Sequence, residues 1–208
     1  MSFGRATIFD SLGVSREAAN YLQIFAGRIK KWNPAINLVS PDTLPDLWDR
    51  HIADSAQLLS LAPKTAALWA DIGSGGGFPG IVVAILAREL RPHLRIVLVE
   101  SDQRKATFLK LTCAELGLKT EVIADRVENC ASFGADVMSA RALAPLDRLC
   151  QYAFAHLAEN GIALLPKGAA YQSEVDTARA KWQFEMEGHE SVTDNRSMIL
   201  KIKDIRRA

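Results

Sequence analysis

The sequence has no apolar run long enough to cross a membrane. Its longest, Ile81 to Ala87, falls far short of the roughly 20 residues a helical span needs. Residues 1–13 lack the apolar core of a secretory leader. Cysteine is scarce: Cys113, Cys130 and Cys150 are odd in number and show no metal-type spacing. That excludes a disulfide framework and reads as thiols in a reducing compartment, so a cytoplasmic protein is expected. Net charge is almost absent, +1 from 25 Lys+Arg against 24 Asp+Glu, so any nucleic-acid surface must be a local patch. Repeats, low-complexity stretches and long linkers are also missing. What remains is a 208-residue chain, 49% hydrophobic and 24% charged, enough for one globular domain with a modest extension.

Residues 69 to 80, Trp-Ala-Asp-Ile-Gly-Ser-Gly-Gly-Gly-Phe-Pro-Gly, carry the most information. A short apolar run leads to Asp71, then to a glycine turn, then to an apolar helical pattern from Pro79. Gly73, Gly75 and Gly77 allow positive φ and remove the Cβ atoms that keep a ligand off the backbone. With Ser74, they let a nucleotide-like ligand lie against the chain at a helix N-terminus, beside a fixed acid.

Residues 1–62 read as an N-terminal helical cap on a domain formed by residues 63–208. Ser15 is a plausible N-cap for a helix bearing Leu22, Phe25, Ile29 and Trp32 on one face, stopped by Trp32-Asn33-Pro34. A second stripe, Leu44, Trp48, Ile52, Ser55 and Leu59, predicts one more helix before Pro63. From residue 66, strands (67–72, 95–100, 120–124, 135–140, 161–166) alternate with helices (79–90, 102–116, 145–158, 171–182). This pattern implies a parallel sheet with right-handed crossovers. Residues 183–192 and 197–202 flank Thr193-Asp194-Asn195-Arg196 and read as a hairpin. The predicted class is α/β: a mostly parallel seven-stranded Rossmann-like sheet closed by an antiparallel C-terminal hairpin, as in class I S-adenosylmethionine-dependent methyltransferases.

Gly75-Gly76-Gly77-Phe78-Pro79-Gly80 formally satisfies G-x-G-x-x-G, so a nicotinamide cofactor competes. Asp71 at the strand tip suits an ammonium, as in the methionine part of S-adenosylmethionine, and repels a pyrophosphate. Pro79 also removes an N–H that a pyrophosphate turn would use, and the Tyr-x-x-x-Lys pair of many oxidoreductases is missing. All three features favour S-adenosylmethionine over an oxidoreductase cofactor. Glu100, with Ser101, ends the second strand where a carboxylate accepts from ribose hydroxyls. Asp125-Arg126-Val127-Glu128 reaches the same crevice, where Phe78 and Val127 would wall an adenine while backbone N–H groups and Glu128 read its edge; a simple helix start fits the same residues equally well.

After the fourth strand stands Ser139-Ala140-Arg141-Ala142-Leu143-Ala144-Pro145, which has neither the Asn/Asp-Pro-Pro-aromatic sequence of amino methyltransferases nor the cysteine of carbon-5 enzymes. Arg141 is the expected positioning residue; a surface pairing with Asp136 or Asp147 is the bland alternative. Arg104, Lys105 and Lys167 are candidate phosphate contacts, and each alone also fits a solvated face. His51 and Asp54, at i, i+3, lack a third ligand, so no metal is expected and a hydrogen-bonding role is.

Together, Lys31-Trp32-Asn33-Pro34-Ala35-Ile36-Asn37-Leu38, Arg50-His51-Ile52-Ala53-Asp54-Ser55, residues 71–80, Glu100-Ser101 with Arg104-Lys105, Arg126-Val127-Glu128, Ser139-Ala140-Arg141-Ala142 and Pro166-Lys167-Gly168 resemble the bacterial 16S ribosomal RNA guanine-N7 methyltransferase family, also called glucose-inhibited division protein B. The motifs span nearly the whole chain in family order. The resemblance implies methylation of N7 of one small-subunit guanine (position 527 in standard numbering) with S-adenosyl-L-methionine as donor. By likeness, Gly73, Phe78, Val127, Glu128 and Arg141 contact the cofactor, while Arg104, Lys105, Arg126 and Lys167 face 16S rRNA or a small-subunit particle. A monomer without a membrane partner is expected. A non-catalytic RNA-binding module that keeps the fold is the competing reading.

Overall fold

The computed structural model describes residues 3–208, with side chains from residue 8 onward. Ser15 caps the long helix as expected: α1 covers Phe3–Leu12, α2 covers Arg16–Ile36, and Ser15 Oγ accepts the Ala18 N–H at 3.0 Å. Leu22, Phe25 and Ile29 are buried on its inner face. Pro34 does not stop α2 where the sequence suggested. The helix runs on to Ile36 and ends at Asn37, whose φ is 49°. The proline sits so close to the C-terminus that its missing N–H removes one intrahelical bond and little more. Asn33, buried one turn earlier, accepts the Val39 N–H at 2.8 Å and secures the exit.

The second stripe is not a single helix. A 3₁₀ turn (Pro41–Thr43) and a π-helical turn (Trp48–Ala53) precede α3 (Asp54–Leu61). Apolar spacing over so few residues cannot separate a π turn from an α turn, because the two differ by about one residue per turn. The wide turn frees the Arg50 carbonyl, which accepts from Arg141 at 3.1 Å.

Strands and helices then alternate: β1 (Leu68–Ile72), α4 (Gly80–Leu90), β2 (Arg95–Val99), α5 (Gln103–Glu115), β3 (Thr120–Ile123), a 3₁₀ turn (Val127–Asn129), β4 (Ala135–Ser139), α6 (Leu146–His156), β5 (Leu157–Lys167), α7 (Tyr171–Arg179), β6 (Trp182–Glu190) and β7 (Met198–Arg207). The sheet order is β3-β2-β1-β4-β5-β7-β6, and β7 lies antiparallel between β5 and β6. The predicted mostly parallel seven-stranded sheet with its C-terminal hairpin is what forms. Some boundaries move. α6 stops at His156 and β5 begins at once, through a register shift opposite Ala135 and Val137, so Glu159-Asn160 lie in strand rather than turn. β7 runs five residues past its expected end at Ile202.

Two buried clusters flank the sheet. One joins α2, α3, α4 and α5 around Phe25, Ile52, Ile81 and Phe108, so the N-terminal segment packs directly on the α4 face. The other joins α6 and α7 around Leu149, Ala153, Val175 and Trp182. Strand order reverses between β1 and β4, which places the ligand crevice beyond the carboxyl ends of those strands.

Candidate active site

The glycine turn takes the shape its residues require. Gly73, Gly75 and Gly77 have φ of 65°, 55° and 90°. A Cβ on Gly75 would meet only the Gly73 carbonyl, at 3.8 Å, so this backbone faces open crevice. Glu100, at the tip of β2, holds the turn: Oε2 accepts from Gly75 N at 2.7 Å and Oε1 from Asp102 N at 2.8 Å. Each oxygen keeps a second lone pair for a ligand hydroxyl. Ser101 beside it is exposed.

Asp71 does not present its acid to a ligand ammonium, as the sequence had suggested. It is 0% exposed; Oδ1 accepts from Ser139 Oγ at 2.7 Å and Oδ2 from Gly80 N at 3.1 Å. Trp69 Nε1 donates in turn to Ser139 Oγ at 2.8 Å. Asp71 therefore bolts β1 to β4 and to the N-terminus of α4. Burial lifts its pKa to about 6, against the pull of Ser139, Ser74 and Gly80. Ser74 Oγ turns inward, to the Asp71 carbonyl.

Phe78 is likewise no adenine wall. Its ring packs between Phe25 and His51, centroids 5.1 Å apart in each case, with the Arg141 guanidinium 5.3 Å from its centroid. Val127 is buried with the α6 cluster, on the other side. The Glu128 side chain does not point at an adenine edge either. Tyr152 Oη and Arg148 donate to its Oε1, at 2.6 and 2.8 Å, which holds its pKa down at about 2.

Arg141 pairs with neither Asp136 nor Asp147. Asp136 caps Ala67 and Leu68, and Asp147 pairs with Lys181. Arg141 reaches across to the N-terminal segment, donating to the Arg50 carbonyl, Asp54 Oδ2 (3.4 Å) and His51 Nδ1. Because a guanidinium only donates, His51 Nδ1 accepts and Nε2 carries the proton. Nε2–H then donates to Thr43 Oγ1 at 2.8 Å, whose hydroxyl donates to the Ser40 carbonyl. Burial, then the charges of Arg141 and Arg50, push the His51 pKa down to about 3. Asp54 is engaged on both oxygens: Arg141 donates to Oδ2, and Ser191, Gln57 and Thr193 donate to Oδ1. The hydrogen-bonding role expected of His51 and Asp54 is what they have; their partnership with Arg141 was missed from sequence, since nothing local announces a contact spanning nearly 90 residues.

The two histidine and aspartate shifts act oppositely on stability. The folded His51 pKa lies below 6.5, so its contribution is lost as pH falls from about 6.5 toward 3. The folded Asp71 pKa lies above 3.8, so its contribution is gained as pH falls from about 6 toward 4. Relative to wild type, His51→Gln is expected to gain about 1.5 kcal/mol between pH 6.5 and 5, and Asp71→Asn to lose about 1 kcal/mol. Urea unfolding at the two pH values measures both.

Beyond Arg141 a cleft of about 650 Å³ opens between the π turn, the 141–145 loop, the end of β5 and the start of β7. Leu143 leans over the glycine turn; a Cβ on Gly73 would meet its side chain. Ala142 between them has φ 53°, which turns Arg141 and Leu143 in different directions.

The comparisons meet this geometry. The profile of the GidB family, rRNA small subunit methyltransferase G, matches residues 18–201. The chain belongs to that family. The ribosomal RNA small subunit methyltransferase G of Ruegeria sp. (strain TM1040) is 51% identical over 207 residues, covering 100% of both chains. That of Rhizobium rhizogenes (strain K84) is 48% identical over 198 residues, 93% of this chain and 96% of its own. Among solved structures, the O-methyltransferase from Bacillus cereus in complex with SAH aligns at TM-score 0.58 and 14% identity, over 91% of each chain. The ribosomal protein L11 methylase from Lactobacillus delbrueckii subsp. bulgaricus aligns at 0.59 and 18%, over 74% of this chain and 78% of its own. These likenesses show the Rossmann-like methyltransferase fold. For this family member the cofactor is S-adenosylmethionine, and the bare glycine turn with the Glu100 tip leaves room and acceptors for that group.

Of the expected RNA contacts, Arg126 is exposed and Lys105 half-buried, while Arg104 is 70% exposed and loosely paired with Asp102. Lys167 is not a phosphate contact: its side chain is 9% exposed and its amine is held by Ala144 O and Glu174. No group of metal-type ligands occurs among the described residues, and no helix among them is long and apolar enough to cross a membrane.

Proposed function

We propose that this S-adenosylmethionine-dependent methyltransferase of small-subunit ribosomal RNA modifies N7 of one guanine, position 527 in standard numbering, in 16S rRNA. The carrying observation is that, among the described residues, the cleft holds no histidine or cysteine free to act as a general base, and that both carboxylates lining it are paired with cations, Asp54 with Arg141 and Glu174 with Lys167. His51 is bonded at both nitrogens, with its pKa near 3. Asp54 takes three donors on Oδ1 and Arg141 on Oδ2, Glu174 is paired with Lys167, and the three cysteines lie outside the cleft. Guanine N7 fits such a site because its lone pair attacks without losing a proton. Bound S-adenosylmethionine supplies an electrophilic methyl group; the protein's task is alignment, which is worth roughly 7–11 kcal/mol of barrier in favourable cases. Glu100 and the glycine turn hold the donor, and Arg141, braced by Asp54 and His51, orients the donor carboxylate or the base. Leu143 and Pro145 help exclude water.

RNA recognition is assigned to a splayed base entering the cleft, with Arg104, Lys105 and Arg126 touching phosphates outside it. The buried, unpaired Cys113 and Cys150 support a cytoplasmic setting, where the chain acts as a monomer on its RNA or a partly assembled particle. Tritiated methyl transfer to small subunits from a strain lacking the enzyme tests this, with the product mapped as N7-methylguanine. Binding without transfer would leave only an RNA-binding module; methylation at another atom would remove the N7 assignment.

A further inference from the structure

Two carboxylates line the cleft among the described residues, and they are used differently. Asp54 is filled on both oxygens. Glu174 is not: Oε2 accepts from Leu146 N at 2.8 Å and from Lys167 Nζ at 2.7 Å, while Oε1 takes no hydrogen bond from the described residues. The Glu174 side chain is 31% exposed, on the cleft side of a lysine that is 9% exposed. The ammonium has three protons, two committed to Ala144 O (3.0 Å) and Glu174. One donor and one acceptor are therefore left side by side, on atoms of an ion pair, facing a slot flanked by Pro145, Pro166 and Met198.

We propose that Lys167 and Glu174 read the Watson–Crick edge of the target purine, Lys167 donating to O6 and Glu174 Oε1 accepting from N1–H. This rests on the guanine-N7 reading above. Guanine presents an acceptor beside a donor on that edge, matching the pair. Adenine presents N6–H₂ to the ammonium and the N1 lone pair to the carboxylate, so both contacts turn repulsive. The order of groups agrees with the chemistry. N7 neighbours O6, and the loop that binds Lys167 through Ala144 O places the preceding Leu143 over Gly73. A base whose O6 meets Lys167 thus turns N7 toward the cofactor side of the crevice. The pair selects the base and orients the nucleophile together, through a buried donor and a half-buried acceptor that an incorrect base leaves unpaired.

The test uses the full-length enzyme and small subunits assembled with RNA carrying one guanine, inosine, 2-aminopurine or 7-deazaguanine at the methylated position. Inosine keeps O6 and N1–H, 2-aminopurine has neither, and 7-deazaguanine lacks the nucleophile. Wild type is expected to use inosine within about tenfold of guanine and to use 2-aminopurine about 100-fold less well. Glu174→Gln should lower kcat/KM on guanine about 100-fold, with cofactor Kd unchanged, and shrink the guanine-to-2-aminopurine ratio to a few-fold. Lys167→Met provides a second variant with the Leu146 N–H still capped. Wild-type turnover of 2-aminopurine within about threefold of guanine, or an undiminished ratio in a folded Glu174→Gln enzyme, overturns the proposal. Methylation of 7-deazaguanine RNA would instead overturn the N7 reading, with the edge ratios still deciding the role of the pair.

Discussion

Arg141→Ala is expected to lower methyl transfer by about 10²–10³-fold, the usual loss when one preorganised donor is removed from a reaction centre. The cost in stability is smaller. Arg141 leaves behind Asp54, which keeps Ser191, Gln57 and Thr193 as donors, and His51, which keeps Thr43. Losing one hydrogen-bonded charge pair whose survivor stays solvated by neutral donors costs about 2 kcal/mol. Single-turnover rates and urea midpoints on one protein preparation separate the two effects. Arg141→Lys should recover most of the stability and little of the rate, since a single ammonium cannot engage Arg50 O, His51 and Asp54 in the same plane. Full activity in Arg141→Ala would remove this residue from the centre.

Glu100→Ala should weaken cofactor binding about 100-fold. Its carboxylate accepts from Gly75 N and Asp102 N at the tip of β2, and on the proposed reading it also accepts from the ribose hydroxyls. Hydrogen bonds to a charged group contribute about 1.5–3 kcal/mol each, so losing the ribose pair and loosening the turn reaches that magnitude. Glu100→Gln is expected to be nearly as damaging. One amide end must then face a backbone N–H that currently donates, which leaves two donors opposed. Calorimetry with S-adenosylmethionine measures both variants, and unchanged affinity in Glu100→Ala would show that Glu100 serves the turn alone.

The fold was legible because its determinants are local. Glycines at 73, 75 and 77 force the turn, and apolar runs such as Ile96–Val99 mark strands buried on both faces. Asp102 announces its helix by capping Arg104 and Lys105. Site residues were legible as positions, less so as partners. Glu100 lies where its strand end predicted, and Arg141 lines the cleft. Asp71, Phe78 and Glu128 also occupy the predicted positions, but their side chains point elsewhere, into the core or onto neighbouring helices, and the Lys167 amine is held inside the cleft by Ala144 O and Glu174. Periodicity gives the element and its end; it does not say which of several nearby acids or rings a side chain meets. The π turn at Trp48–Ala53 shows the same limit, since a single widened turn leaves the apolar stripe intact.

The Asp54 hub has one more consequence, for the time at which the enzyme becomes competent. Its donors come from residue 57, from residue 141 and from residues 191 and 193, and the final strand β7 slides between β5 and β6 rather than adding at an edge. Arg141 therefore lacks its full brace until β7 has entered that slot and residues 191 and 193 have reached Asp54, so competence depends on closure of the C-terminal hairpin.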